Sequence, residues 1–242
     1  DNRHLARLSY TPVFEPANPQ EVYEFYKTAA KLSQQLHMPV ILRLTTHVCH
    51  AKQKVSFGAW NPSEFDKQPR FDVKNGPYMP LTSLVFPMKR RALANLRLVA
   101  EFSEKQGCHQ LTANGSRRGI ITFGLPYLSL LDVLTESNKK PDIFKLGLIY
   151  PLPTGLLAEF LRSHDEVFIL EELDDIIEGD IKRLAFEQQI IVKIHGKTDA
   201  EAWIGEYTAD KVAGLLSAVW PEMAPSPAAA SGYVGQADRQ RR

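Results

Sequence analysis

The chain has 242 residues, 44% of them hydrophobic and 24% charged, with a formal net charge of +1. That length serves one large domain or two small ones with cores of their own, and the near-neutral charge singles out neither nucleic acid nor an anionic membrane as partner. Two cysteines, Cys49 and Cys108, make no disulfide framework and suit a reducing cytoplasm, with a single pair left open; no apolar run approaches the roughly 20 residues of a membrane span.

In chain order, "PVFEP" (12–16) reads as a short strand and "PVILRLTT" (39–46) as a longer one, with a helix between them. Asn18 is placed to cap that helix, Pro19 suits its first turn, Glu21 follows three residues after the cap, and Val22, Phe25, Tyr26, Ala29, Leu32 and Leu36 recur at helical spacing. A strand, a crossover helix and an apolar strand imply parallel pairing. Residues 52–88 carry Pro62, Pro69, Pro77, Pro80 and Pro87 without periodicity and read as a linker, followed by a helix from about Lys89 to Gln106. From Arg117 the signals alternate: strands at 118–124, 143–150, 166–172 and 190–196, helices near 126–137, 154–163 and 176–188, and a last helix near 208–219. This is an α/β pattern with a mainly parallel sheet covered on both faces. The stretch 220–242, rich in Pro, Ala, Ser and charge, reads as a disordered tail.

Three stretches could carry chemistry. "RLTTHVCHA" (43–51) sets His47, Cys49 and His50 close together, but on a strand they point to opposite faces and lack a fourth ligand, so they read as the end of a buried strand rather than a zinc site. "EELDDIIEGD" (171–180) offers clustered carboxylates for a cation. The competing reading has Glu171 and Glu172 ending a buried strand, Asp174 and Asp175 opening a helix at its positive end, and Asp175 and Glu178 as solvated helix positions. "ANGSRRG" (113–119) is the nearest approach to a phosphate loop and matches neither glycine fingerprint, and no G-x-S-x-G elbow is present.

Read together, "DNRHLARLSYTPVFEPANPQEVYEF" (1–25), "MPVILRLTTHVCHAK" (38–52), "GIITFGLPYLSLLDVL" (119–134), "KLGLIYPLP" (145–153), "EVFILEELDDIIEGDI" (166–181) and "GEYTADKV" (205–212) resemble the alpha subunit of indolepyruvate:ferredoxin oxidoreductases, within the thiamine-diphosphate-dependent 2-oxoacid:ferredoxin oxidoreductases. The resemblance implies that residues 1–52 are the C-terminal part of a pyrimidine-binding domain, 53–116 a linker and connecting helix, and 117–219 a transketolase C-terminal-like domain. For the parent protein it implies thiamine diphosphate with Mg and [4Fe–4S] clusters, a beta subunit and ferredoxin as partners, and oxidation of an arylpyruvate with coenzyme A to an aryl-acetyl-CoA.

The chain opens at Asp1 in what reads as mid-domain and carries neither a G-D-G…N motif nor a C-x-x-C-x-x-C run, so the expectation is an internal fragment, inactive alone and binding none of these cofactors by itself. Carry-over reaches Asp1, Asn2 and Arg3, which match the family's "QDNR" element and are expected to line the cofactor cleft or cap the first helix. Where the family shows "TTRVSH", this chain has His47 and Cys49 in place of the arginine and serine. The alternative function is a non-catalytic interaction protein that retains these two domains.

Overall fold

A computed structural model describes residues 1–59, 76–135 and 137–223. Two sheets organise it. In the smaller, β1 (Val13–Phe14) lies between β2 (Ile41–Leu42), which it pairs in parallel, and β6 (Leu148–Tyr150), which runs antiparallel to it. The larger has the order β3-β5-β4-β7-β8, from Gln110–Thr112 (β3), Arg118–Phe123 (β4), Asp142–Leu146 (β5), Glu166–Leu170 (β7) and Lys193–His195 (β8). Only the edge strand β3 runs against its neighbour, so the expected α/β class with a mainly parallel sheet is what forms.

The run 143–150, expected as one strand, is two strands serving both sheets, and the reason is Gly147. A Cβ there would lie 2.1 Å from the Cys108 carbonyl oxygen and 2.5 Å from the Phe25 ring, while the Gly147 carbonyl accepts from Glu15 N at 2.9 Å. Only a glycine lets the chain pass between the two layers at this point. The small sheet thereby takes strands from both sides of the expected linker.

The crossover helix α2 (Pro19–Leu36) starts as read: Asn18 Oδ1 accepts from Glu21 N at 3.0 Å, and Glu21 Oε2 accepts from Ala17 N at 2.8 Å. Glu21 also pairs with the buried Lys145 of β5, which ties the helix to the large sheet. Helix α4 (Thr82–Lys105) begins earlier than its periodicity suggested and carries Pro87 in its second turn, where the missing N–H removes one helical bond. Helices α5 (Gly124–Thr135) and α8 (Ala209–Val219) cover one face of the large sheet; α6 (Thr154–Ser163) and α7 (Ile176–Glu187) cover the other. A third core joins Phe14 and Leu148 of the small sheet to α2 and to Val99 of α4.

Two expectations change here. Thr46–His50 is a short helix, α3, rather than a strand end; only its Val48 is buried, while His47, Cys49 and His50 face solvent. Residues 220–223, expected to be disordered, are packed: Trp220 and Met223 are buried against the large sheet and Pro221–Met223 makes a 3-10 turn. The remainder of the tail, and the prolines at 62 and 69, lie outside the described residues.

Candidate functional site

In an open parallel sheet, ligands gather outside the carboxyl ends of the strands where the connections change direction. Here that place lies between β4 and β7: the chain leaves β4 for β5 on one side and returns to β7 on the other. Gly124 follows β4, and Glu171 and Glu172 follow β7. Gly124 has φ of +56°, and a Cβ on it would stand 2.7 Å from Glu15 Oε1, so the glycine serves both its own backbone and the approach of a carboxylate.

This crevice is filled by charges from the first 43 residues. Helix α1 (Arg3–Ser9) brings in Arg3, 4% exposed, which donates to Glu171 Oε1 at 2.6 Å, to the Glu172 and Asp174 carbonyls at 2.8 and 3.0 Å, and through Nε to Asp1 Oδ2 at 2.9 Å. Arg43, just past β2, donates to Asn2 Oδ1 at 2.8 Å and to Glu15 Oε1 at 2.5 Å. On the sheet side, Glu171 accepts from Ile177 N and Glu178 N, both at 2.9 Å, so a buried carboxylate meets the positive end of α7. Glu172 accepts from Tyr207 N at 2.6 Å; Lys197 Nζ donates to the Ala202 carbonyl at 2.9 Å and to Tyr207 Oη at 3.0 Å.

Burial governs proton affinity throughout this cluster. It pushes Glu15 up to about 7; Arg43 and Arg3 pull the other way, and Glu172 and Glu171 add repulsion. Glu171 and Glu172 are likewise raised by burial, and Lys197 is lowered by it. Glu15 Oε2 has no hydrogen-bond partner among the described residues, which makes this carboxyl the one whose charge the cluster satisfies least. Chemically, the cluster can store a proton near neutrality and can lock the N-terminal segment onto the sheet.

Comparison with known proteins gives this geometry a context. No family model matches the chain. Over 224 residues, 90% of this chain, it is 31% identical to the indolepyruvate oxidoreductase subunit IorA of Methanothermobacter marburgensis and 32% identical to that of Methanothermobacter thermautotrophicus. This chain is IorA-like. It spans about a third of the length of those curated relatives, 35% in each case. Among solved structures, a 2-oxoglutarate:ferredoxin oxidoreductase from Magnetococcus marinus aligns over 61% of this chain and 24% of its own, at 17% identity and a TM-score of 0.42.

Against the IorA resemblance, the three expected site residues can be placed. Asn2 stands at the N-cap position of α1 without a side-chain cap bond, and its side-chain Oδ1 accepts from Arg43 instead; the Arg3 backbone N–H is taken by Asp1 Oδ1 at 3.0 Å. The Arg3 guanidinium is committed to protein oxygens on every side, and the Asp1 carboxylate is buried against it. The Arg3 guanidinium and the Asp1 carboxylate are thus engaged within the protein, while the exposed Asn2 keeps its Nδ2 amide as a donor. Among the described residues no set of three or more His, Cys, Asp and Glu is arranged to hold a metal ion, and two cysteines, Cys49 exposed and Cys108 buried, fall short of the four a [4Fe–4S] cluster takes. Among the described residues there is thus no ligand set for a divalent ion or a [4Fe–4S] cluster.

The residues that sequence reasoning missed are Glu15, Arg43, Lys197 and Glu178. Glu178, read as solvated, is 3% exposed, because the chain folds back at Gly196, where a Cβ would meet the Glu178 carboxyl at 2.1 Å; Glu178 accepts from Lys197 N and from Lys182 Nζ. A usable signal was present: a single charge inside "PVFEP" and another inside "PVILRLTT", each in an otherwise apolar strand.

Proposed function

We propose that this chain is the segment of an IorA-type subunit that joins the end of a pyrimidine-binding domain (1–52), through a connecting stretch (53–116), to a transketolase C-terminal-like domain (117–219). Its task in this reading is to fix one domain against the other. The observation that carries it is the match to IorA over nine-tenths of the chain, whose order of segments brings Arg3, Glu15 and Arg43 onto the carboxyl end of the large sheet. Asp1, Asn2 and Arg3 then act on a cofactor cleft indirectly, by holding the loop that faces it.

The whole parent would convert an arylpyruvate, coenzyme A and oxidised ferredoxin into an aryl-acetyl-CoA, carbon dioxide and reduced ferredoxin, with a beta subunit as partner, in the cytoplasm. Thiamine diphosphate with Mg and the [4Fe–4S] clusters would be held by parts of the parent other than the residues described here, and this chain by itself would be inactive. Exposed apolar side chains such as Leu8 on α1 and Phe86 on α4 agree with a surface that further protein covers, and no described helix is long and apolar enough to cross a membrane.

The test is a replacement. The matching 224 residues of the Methanothermobacter marburgensis IorA are exchanged for this chain, the chimera is expressed with its beta subunit, and ferredoxin reduction by indolepyruvate is measured. Activity within about tenfold of the parent, a barrier change near 1.4 kcal/mol, supports the reading. A folded, cofactor-loaded chimera without activity overturns it and favours the second reading, a non-catalytic interaction protein, to which the fully paired Arg3 also lends itself.

A further inference from the structure

At the opposite, amino end of the large sheet lies a cleft of about 350 Å³. Its floor is Phe144 of β5 and Phe160 of α6, whose rings meet edge-on with centroids 5.5 Å apart. Its polar groups are His109, Asp142, Glu159, Ser163 and His164; the Ser163 hydroxyl donates to the Phe160 carbonyl at 2.8 Å and lies 3.0 Å from His164 Nδ1, and no lysine or arginine lines the cleft. Gly119 makes room for this arrangement, since a Cβ there would lie 2.6 Å from the Phe160 ring and 3.2 Å from His164 Cδ2.

The hydrogen bonding is incomplete in a particular way. His164 is 4% exposed, and its Nδ1 lies 2.6 Å from the Phe160 carbonyl oxygen, which only accepts, so Nδ1 carries the proton. In the neutral ring Nε2 is then an acceptor. It makes no hydrogen bond to any described residue and stands 3.4 Å from Asp142 Oδ2, a second acceptor. Asp142 Oδ1 is already taken by Asn114 N and Ser116 N at 2.8 and 2.9 Å, which leaves Oδ2 facing the ring. Both His109 ring nitrogens are also buried without partners, and burial with the Lys145 charge lowers that residue to about 4, so its imidazole is neutral at pH 7. A buried imidazole nitrogen without a partner is costly, and a donor from outside the chain, shared with Asp142 Oδ2, completes it.

We propose that this cleft binds a small organic ammonium ion with an apolar body, its N–H groups bridging His164 Nε2 and Asp142 Oδ2 and its body resting on Phe144 and Phe160. An ammonium supplies several donors and a positive charge; the carboxylates of Asp142 and Glu159 and the two aromatic faces favour that charge. A metal ion is the wrong occupant, because no group of three or more ligating side chains is arranged to hold one among the described residues. The site stands apart from the IorA reading and does not depend on it.

The probe is 2-phenylethylamine, titrated into the full chain at neutral pH and followed by calorimetry and by the imidazole signals of His109 and His164. The amine should bind saturably, 2-phenylethanol about tenfold more weakly and phenylacetate not at all, because only the amine carries both charge and donors. Asp142→Asn, which keeps the Oδ1 acceptor, should weaken binding by about tenfold or more. Glu159→Gln, an exposed change that leaves the fold alone, should weaken it by about threefold and keeps the test open if the first variant unfolds. No saturation below about 10 mM, phenylacetate binding as well as the amine, or unmoved histidine signals would each overturn the proposal.

Discussion

The two ends of the large sheet treat charge in opposite ways. At the carboxyl end, Arg3, Glu15, Glu171 and Glu172 are almost wholly excluded from water, and each is tied to residues far away in sequence. At the amino end, Arg117 pairs with Asp165 with side chains 68% and 62% exposed, and Glu166, held down to about 2 chiefly by its hydrogen bond from His195, sits at the rim with Arg118 and Lys193. Buried pairs contribute little net stability yet are expensive to break one partner at a time, whereas exposed pairs are screened and dispensable. The carboxyl end is therefore a joint whose parts must all be present. At the amino end the Arg117–Asp165 pair lies at the surface, where either charge is free to change.

The largest effect that would break this contrast concerns Arg3. Replacing it with methionine leaves Glu171 buried without its cation, and the expected loss is about 3–5 kcal/mol in a urea titration. A loss under about 1 kcal/mol would show that water reaches Glu171 and that the joint is looser than drawn.

Glu15 gives the next effect, through pH. Its folded affinity, about 7 against the ordinary 4.5, means that the native state binds more protons than the unfolded chain between those values. Its stabilising share is thus complete below about pH 4.5 and is lost as pH rises towards 7, on the order of 3 kcal/mol in all. Glu15→Gln should remove that part of the slope between pH 5 and 8, and urea midpoints of the two proteins across this range should converge at low pH. Parallel profiles would place Glu15 in contact with solvent.

The smallest effect belongs to the amino end. Asp165→Asn should leave the urea midpoint unchanged within error at moderate salt, since both partners of that pair are in water. A measurable loss would mean that the Arg117–Asp165 pair is better shielded from water than its exposure indicates.

Much of the fold was legible from local chemistry. The cap at Asn18, the helix over 154–163 and the alternation after Arg117 each rest on residues close together in sequence, and the structure has them as read. The break at Gly147 was not legible, because what forbids a side chain there is the Cys108 carbonyl and the Phe25 ring, both distant along the chain. The same holds for "RLTTHVCHA": its alternation suggested a strand end, but after Arg43, whose N–H donates to the Phe14 carbonyl at 2.8 Å, the segment leaves the sheet and coils into α3 with its histidines and cysteine in solvent. Isolated charges in apolar strands marked Glu15 and Arg43 as unusual without saying what they met.

What the sequence determined by itself was the set of elements, the α/β class and the IorA resemblance, because capping, periodicity and motif order are written within short windows. What only the tertiary structure decided was which charges meet. Arg3 and Glu171 lie 168 positions apart, and their encounter depends on a strand leaving one sheet for another at a glycine that no side chain could replace.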